Sequence, residues 1–313
     1  MKRFKSGKIL VCLASAVAMT FAVSTASACN IETDHPEAEI TYAFNGETYA
    51  VKYTLYRNMY PHTVRHFIEL ADNGFYDNTV VHSYTTNDWF TGGYSYDADE
   101  YTAKASGGSQ MSEYFDGQSK EDAYVRLFNE GKLSSSVYAT LNYSGEDQTV
   151  NKDSALYTVM GEFYNNIHQE IEKGKLTAEY GCLKMYYYEK ETTKKVIVTP
   201  TDDQPTLADY KYNSATSVYA VQVGTSSSYN ENDYTVFARL SSTDTFDAFV
   251  TAIRNYISDN HGGTTSEFYT ETSVRVDNSE NFSDKLEADK GTTVTFNAPK
   301  TPVVIQSVKV TKY

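Results

Sequence analysis

At 313 residues the chain can bury one large core or two modest ones, and 40% hydrophobic content with a mean hydropathy of −0.51 describes a soluble body rather than a polytopic membrane protein. A formal net charge of −14 at pH 7 argues against the electrostatic footprint of clustered Lys and Arg that nucleic acid requires, and against adsorption on anionic lipid. The 28 Tyr against 6 Pro point to strands with half-buried polar-aromatic positions.

The first residues read as an address. Lys2, Arg3, Lys5 and Lys8 make a basic n-region, residues 9–23 an apolar run, and Ala26-Ser27-Ala28-Cys29 a small-residue cleavage site, so residues 1–28 are expected to be a signal peptide. The cleavage site is similar to the lipobox of bacterial lipoproteins, with Ala26 in place of the usual leucine. That resemblance implies lipidation of Cys29 and a location on the outer face of the bacterial cytoplasmic membrane; ordinary cleavage before Cys29 is the alternative. Loss of the four basic residues takes the mature charge from −14 to −18. Cys12 leaves with the signal and Cys29 is expected to be modified, so Cys182 has no partner for an intramolecular disulfide.

Residues 29–38 read as a polar tether. Two alternating runs, EITYAF and TYAVKYTLY, flank Asn45-Gly46 and predict a β-hairpin. Pro61 then suits a first helical position and Gly74 a helix stop, with Val64, Phe67, Ile68 and Ala71 on one face between them. A β-branched and aromatic run over 76–84 leads to Gly92-Gly93, which allow a sharp turn or a close backbone approach. Farther on, 119–132 predicts a helix, with Ser119 and Asp122 at capping-box spacing and Gly131 as its stop, and 137–143 a strand. Thr199-Pro200-Thr201-Asp202-Asp203-Gln204-Pro205 marks a turn-rich exposed loop within 189–211. Asp244 is placed to cap a helix running to Ser258, whose Phe246, Phe249, Val250, Ile253 and Ile257 face the core. Residues 302–310, PVVIQSVKV, read as a closing strand.

The order of residues is more specific than their periodicity. Pro61, Thr63, Val64, Phe67 and Leu70, then Gly74, Phe75, Tyr76, Asp77, Thr79 and His82, then Gly92-Gly93, resemble the cyclophilin pattern P-x-T-V-x-N-F-x-x-L, G-F-Y-D-x-T-x-F-H-R and Q-G-G-D. Val159-Met160-Gly161-Glu162-Phe163 is similar to that family's I-K-G-E-F, and Gly181 to Met185 to its G-x-x-S-M. Residues 213–221 resemble S-A-x-S-Q-F-F-I, and 234–240 resemble H-x-V-F-G-x-V. The match runs in family order over roughly two-thirds of the mature chain. It implies a mostly β fold with flanking helices: a cyclophilin-like closed β-barrel over residues 39–313, interrupted by insertions at about 95–158 and 189–211. The first insertion, with its own helix and strand, is expected to pack on the barrel and to extend or cover the groove.

The resemblance also implies peptidyl-prolyl cis-trans isomerisation, which needs no cofactor, metal or nucleophile: the barrier is lost amide resonance, about 18–20 kcal/mol, and a catalyst must hold the twisted amide better than the planar forms. In the family an apolar pocket clamps the proline ring and an arginine hydrogen-bonds around the amide. Aligned by motif, the arginine position is Ser83, the pocket phenylalanine Asp88 and its neighbour Trp89; a one-residue shift in the 85–88 loop would instead put Trp89 at the phenylalanine position, and no such shift restores the arginine. The glutamines fall at Thr91 and Val218, the pocket wall at Ala220, the tryptophan near Tyr229 and the histidine at Tyr234. Weak or absent isomerase activity is therefore expected. The alternatives are a non-catalytic binding module whose altered aromatic groove takes an extended peptide, or a surface interaction protein acting through the 95–158 insertion. The expected partners are polypeptide segments and, through the anchor, a membrane; nucleic acid is not expected, and the protein is expected to be a monomer. His62 and His66 sit at i,i+4 but no third ligand recurs, so no metal site is assigned; His82 reads as a core histidine, and Asp97, Asp99 and Glu100 as a solvated loop.

Overall fold

A computed structural model describes residues 35–96, 127, 130–133, 159–163, 174–186, 188–198, 206–215, 217–275 and 293–313, with the backbone alone at 160 and over 188–198, 206–215, 272–275 and 293–296. The chain enters with the hairpin expected of Asn45-Gly46. Strands β1 (Glu37–Phe44) and β2 (Glu47–Leu55) pair antiparallel, and both turn residues take positive φ, +50° and +86°, the conformation a two-residue hairpin of right-handed twist demands. Burial alternates strictly along β1, so Ala38, Ile40, Tyr42 and Phe44 enter the core.

Helix α1 (Pro61–Asp72) follows, with Pro61 at its first turn as read from the sequence. The chain then lays down β3 (Thr79–Val80), β4 (Ser83–Tyr84) and β5 (Asp88–Thr91), so the single run expected over 76–84 is split by Val81 and His82. After β6 (Val159–Met160) come β7 (Leu183–Met185), β8 (Tyr188–Val198), β9 (Thr206–Ala215), β10 (Tyr219–Gln222) and β11 (Thr235–Leu240). Helices α2 (Asp244–Asn260) and α3 (Thr265–Phe268) and strands β12 (Tyr269–Arg275), β13 (Thr293–Pro299) and β14 (Val303–Lys312) complete the described elements.

Nine strands form one strongly curled sheet, a half-barrel, in the order β3-β14-β1-β2-β11-β7-β10-β5-β4. Its two outermost strands, β3 and β4, are separated in the chain only by Val81 and His82. Val81 N–H donates to Val303 O at 2.8 Å on one side and His82 N–H to Phe90 O at 3.0 Å on the other. Helices α1 and α2 pack against the core side of the sheet. Phe67 of α1 lies 5.1–5.6 Å from the rings of Tyr76, Tyr219 and Phe237, and Phe249 of α2 stacks on Tyr42 at 4.7 Å and meets Trp89 edge-on at 5.3 Å. The Tyr42 and Tyr53 hydroxyls, both buried, hydrogen-bond to each other at 3.0 Å, which removes the cost of leaving either unsatisfied.

Three features differ from the sequence expectations. The stretch 189–211 carries a hairpin that was not foreseen: β8 and β9 pair from Val198↔Thr206 back to Tyr188↔Ser214, and the turn-rich loop expected at 199–205 lies outside the described residues. Thr243 takes the N-cap position of α2, and Asp244 is its first helical residue, where its charge favours the helix dipole. A second hairpin, β12 with β13, was not foreseen. Of the helix expected over 119–132, Leu127 is helical and buried against the core, whereas the strand expected over 137–143, residues 1–34 with Cys29, and most of 95–158 lie outside the described residues.

Candidate functional site

Three neighbouring strands, β5, β10 and β7, carry Trp89, Thr91 and Ala220 and turn one face away from the core. Their register places Phe90 opposite Ala220 and Ala220 opposite Lys184, with Ser83 of β4 beyond Phe90. Because side chains alternate along a strand, Asp88, Phe90, Ala220, Gln222 and Lys184 share this outer face with Tyr186, one residue past β7. Trp89, Tyr219, Val221, Leu183 and Met185 point the other way and belong to the core.

The segment 223–234, between β10 and β11, folds back over this face. It is held at its start by Val223 and Gly224 N–H groups donating to Asn87 O at 2.7 and 3.1 Å, and near its end by Ala178 N–H donating to the Glu231 carboxylate at 3.0 Å. At its middle sits a buried polar cluster. Lys184 Nζ, 1% exposed, donates to Asp88 Oδ1, to Gln222 Oε1 at 3.1 Å and to Ser227 Oγ at 2.8 Å. Ser227 Oγ in turn donates to Asp88 Oδ2 at 2.6 Å and accepts the Tyr229 N–H at 2.9 Å. All three ammonium protons are spent and the charge is matched by Asp88, which is the arrangement a buried lysine needs. Ser227 gives its proton to a carboxylate and accepts two bonds, so the cluster is a clasp and not a nucleophile with its base. Below it, burial pushes the Cys182 thiol up to about 11, which leaves it an inert small core residue.

Beside the clasp lie four aromatic rings. Phe90 meets Tyr229 edge to face at 4.9 Å and Tyr186 at 5.5 Å, Tyr229 meets Tyr234 at 4.9 Å, and Tyr186 stacks on Tyr234 at 6.2 Å. Phe90 is 6% exposed beneath the others and Ala220 is 1% exposed, whereas Tyr186, Tyr229 and Tyr234 are half-buried and form an accessible ridge.

The Gly pair closes the opposite end of this region. Gly92 has φ +85°, and a Cβ there would lie 2.5 Å from Ser217 O, so the backbones of β5 and the turn before β10 approach as only glycine permits; Ser217 Oγ donates to Gly92 O at 2.7 Å. His82 lies against Gly93 and 4.9 Å from the Tyr94 ring; burial holds it far below its ordinary value, at about 3, and so neutral. At the foot of α1, Glu162 is fully buried and accepts the His62 and Thr63 N–H groups at 3.1 and 2.7 Å, capping the helix from a remote segment. Desolvation outweighs those two bonds and raises its carboxyl to about 7.

The structure gathers Ser83, Ala220, Tyr229 and Tyr234 around Phe90. Val218 stands at the edge of this group, against Gly93. Trp89 and Thr91 are not on the outer face: Trp89 stacks on Tyr84 at 5.7 Å inside the core, and the buried Thr91 hydroxyl donates to Val80 O at 3.0 Å. His66 is buried under α1, and His62 is half-buried at its first turn. Sequence reasoning gave no role to Phe90, Tyr186 or the Lys184–Asp88 pair. The signal was available in the alternation Asp88-Trp89-Phe90-Thr91, and in a lysine set in an otherwise apolar central strand. Three of the described arginines are engaged elsewhere: Arg65 with Glu69 at 3.0 Å, Arg239 with Glu179 at 2.8 Å, and Arg254 with Val223 O at 3.1 Å.

Residues 43–278, about three quarters of the chain, match the family model described as "Cyclophilin type peptidyl-prolyl cis-trans isomerase/CLD". Among solved structures the chain is similar to the Cryptosporidium parvum cyclophilin type peptidyl-prolyl cis-trans isomerase, with a TM-score of 0.37 and 11% identity over 89% of this chain and 99% of that one. The same protein in the presence of the dipeptide Ala-Pro gives a TM-score of 0.37 and 11% identity over 88% and 99%. The Mimivirus cyclophilin gives 0.35 and 10% over 72% and 83%. No curated protein matches the chain.

Proposed function

The match over residues 43–278 makes the chain a member of the cyclophilin-type peptidyl-prolyl cis-trans isomerase family, and from that premise we propose that it is an exported member which binds extended, proline-containing peptide segments on the outer face of β5, β10 and β7, with isomerase turnover weak or lost. The observation that carries this reading is the fate of positive charge around the groove. Ser83, at the family's arginine position, offers only a half-buried hydroxyl beside Phe90, and the cation nearest in register, Lys184, is consumed by Asp88, Gln222 and Ser227. A twisted prolyl amide gains its stabilisation from a donor aimed at charge that develops in the transition state. A ridge of Tyr186, Tyr229 and Tyr234 instead supplies flat amphipathic contact area, which suits binding without rate enhancement.

Titration of a peptide with an internal Ala-Pro against the protein, followed by heteronuclear NMR, tests the reading. Shifts confined to 83–94, 183–186 and 217–236 with exchange no faster than in free peptide support it, and the absence of shifts there overturns it.

The remaining parts of the proposal concern the whole molecule. The curled sheet is proposed to close into a barrel through the continuous segment 79–84, with 95–158 and 189–211 as insertions on it. Residues 1–28 are proposed to direct export, with Cys29 the lipidated first residue of the mature protein on the outer face of the bacterial membrane, acting as a monomer. Incorporation of labelled fatty acid that is lost in the Cys29→Ala variant is the expected result; labelling that persists in the variant contradicts it.

A further inference from the structure

Phe90 stands on β5 and Tyr186 one residue past β7, on either side of β10, yet their rings meet edge to face with centroids 5.5 Å apart. Adjacent strands run about 4.8 Å apart, so two residues rooted about 10 Å from each other have closed across the strand between them. Tyr186 is set diagonally to Phe90: its N–H donates to Val218 O at 3.0 Å whereas Phe90 is opposite Ala220, so the rings close obliquely over β10 between 218 and 220, and the residue beside Phe90 under this closure, Ala220, is short and 1% exposed. Tyr229 then packs on Phe90 from above and Tyr234 stacks on Tyr186, so the arrangement is braced on both sides.

From this geometry we infer that Phe90 and Tyr186 determine specificity: their rings fill the bay over Ala220 that would receive a pyrrolidine ring, so peptides are met on the tyrosine ridge and a proline ring is admitted only when Tyr186 is cut back. The inference rests on the peptide-binding reading above for the identity of the ligand, but the closure over Ala220 stands apart from it. Small size at 220 and large size at 90 and 186 are one coordinated choice, because interiors at close-packed density accept added volume in one place only if it is removed in another.

Two measurements separate these parts. For the closure, Ala220→Phe is expected to overpack the bay and lower the melting temperature by roughly 3–8 °C, and Tyr186→Ala added to it is expected to restore most of that loss. Equal or additive losses in the double variant overturn the closure. For specificity, Tyr186→Ala alone is expected to bind a peptide with an internal Ala-Pro about tenfold more tightly than the unmodified protein, with no such gain for the same peptide carrying Ala-Ala. Tighter binding by the unmodified protein than by the variant overturns the specificity assignment while leaving peptide binding intact. Absence of binding by both, with the rescue at position 220 observed, overturns the assignment and the peptide-binding reading together.

Discussion

Replacing Lys184 by Met removes the cation from a site where its partner carboxylate is as buried as the lysine itself, with side-chain exposures of 1% for Lys184 and 2% for Asp88. The Asp88 carboxylate would keep one charge-assisted bond, from Ser227 Oγ, and lose the ammonium. Breaking one side of a buried pair costs about 3–5 kcal/mol, because the surviving charge is left uncompensated in a low dielectric. Removing both members in Lys184→Met/Asp88→Leu takes away that charge; the Ser227 hydroxyl keeps Tyr229 O, at 3.4 Å, as an acceptor, and Gln222 Oε1 and Ser227 Oγ are each left short of the Lys184 donor, at about 1 kcal/mol apiece. The double variant should therefore lie within about 2 kcal/mol of the parent and above the single variant. Urea unfolding at pH 7, with linear extrapolation, measures all three. A penalty for Lys184→Met under about 1 kcal/mol, or a double variant as unstable as the single one, would refute the buried-clasp account.

Stability against pH should show two opposed windows. The neutral His82, at about 3, takes up less proton folded than unfolded below pH 6.5, so its contribution is present above that pH and falls away toward 3. Glu162, at about 7, retains a proton when folded that the unfolded chain releases from pH 4.5 upward, so its contribution is present in acid and is lost as pH rises through 7. Glu162→Gln removes the second effect, and the variant should gain on the parent by up to about 3 kcal/mol between pH 5 and pH 8; parallel profiles for the two proteins would count against it. Gly92→Ala combines a positive φ with a 2.5 Å approach to Ser217 O. It should lose about 2 kcal/mol or more, and a melting temperature unchanged within a degree would show that the two backbones do not approach so closely.

How much was legible from the sequence depends on whether a residue's meaning was local. Asn45-Gly46, Pro61 and the apolar face of α1 carry their own conformational reasons, and each is where periodicity put it. Gly92 was marked as a close approach, but its partner, Ser217, comes from 125 residues away. The faces of β5 were not legible. A motif aligned residue by residue puts Trp89 and Thr91 in the groove, whereas pairing of Val221 with Trp89 and Tyr219 with Thr91 turns both inward and brings out Phe90. A one-residue shift over the turn at 85–88, which the sequence leaves open, reverses every side chain of the strand. Tyr186 escaped notice for a different reason: it lies one position beyond a three-residue strand, and its ring acquires meaning only from a neighbour two strands away. The hairpin of β8 and β9 was hidden by the Pro- and Asp-rich segment that links its arms, although KKVIV alone has strand character.

The central claim is that membership of the family has outlasted its catalytic power. A protease-coupled proline isomerisation assay on an Ala-Pro peptide measures this directly, with an arginine-bearing cyclophilin run alongside at the same temperature. Loss of one preorganised donor worth about 3–4 kcal/mol in the transition state predicts kcat/KM lower by about 10²–10³. A value within about tenfold of the comparison enzyme would contradict the claim, because it would require a transition-state donor that Ser83 and the clasped Lys184 do not supply.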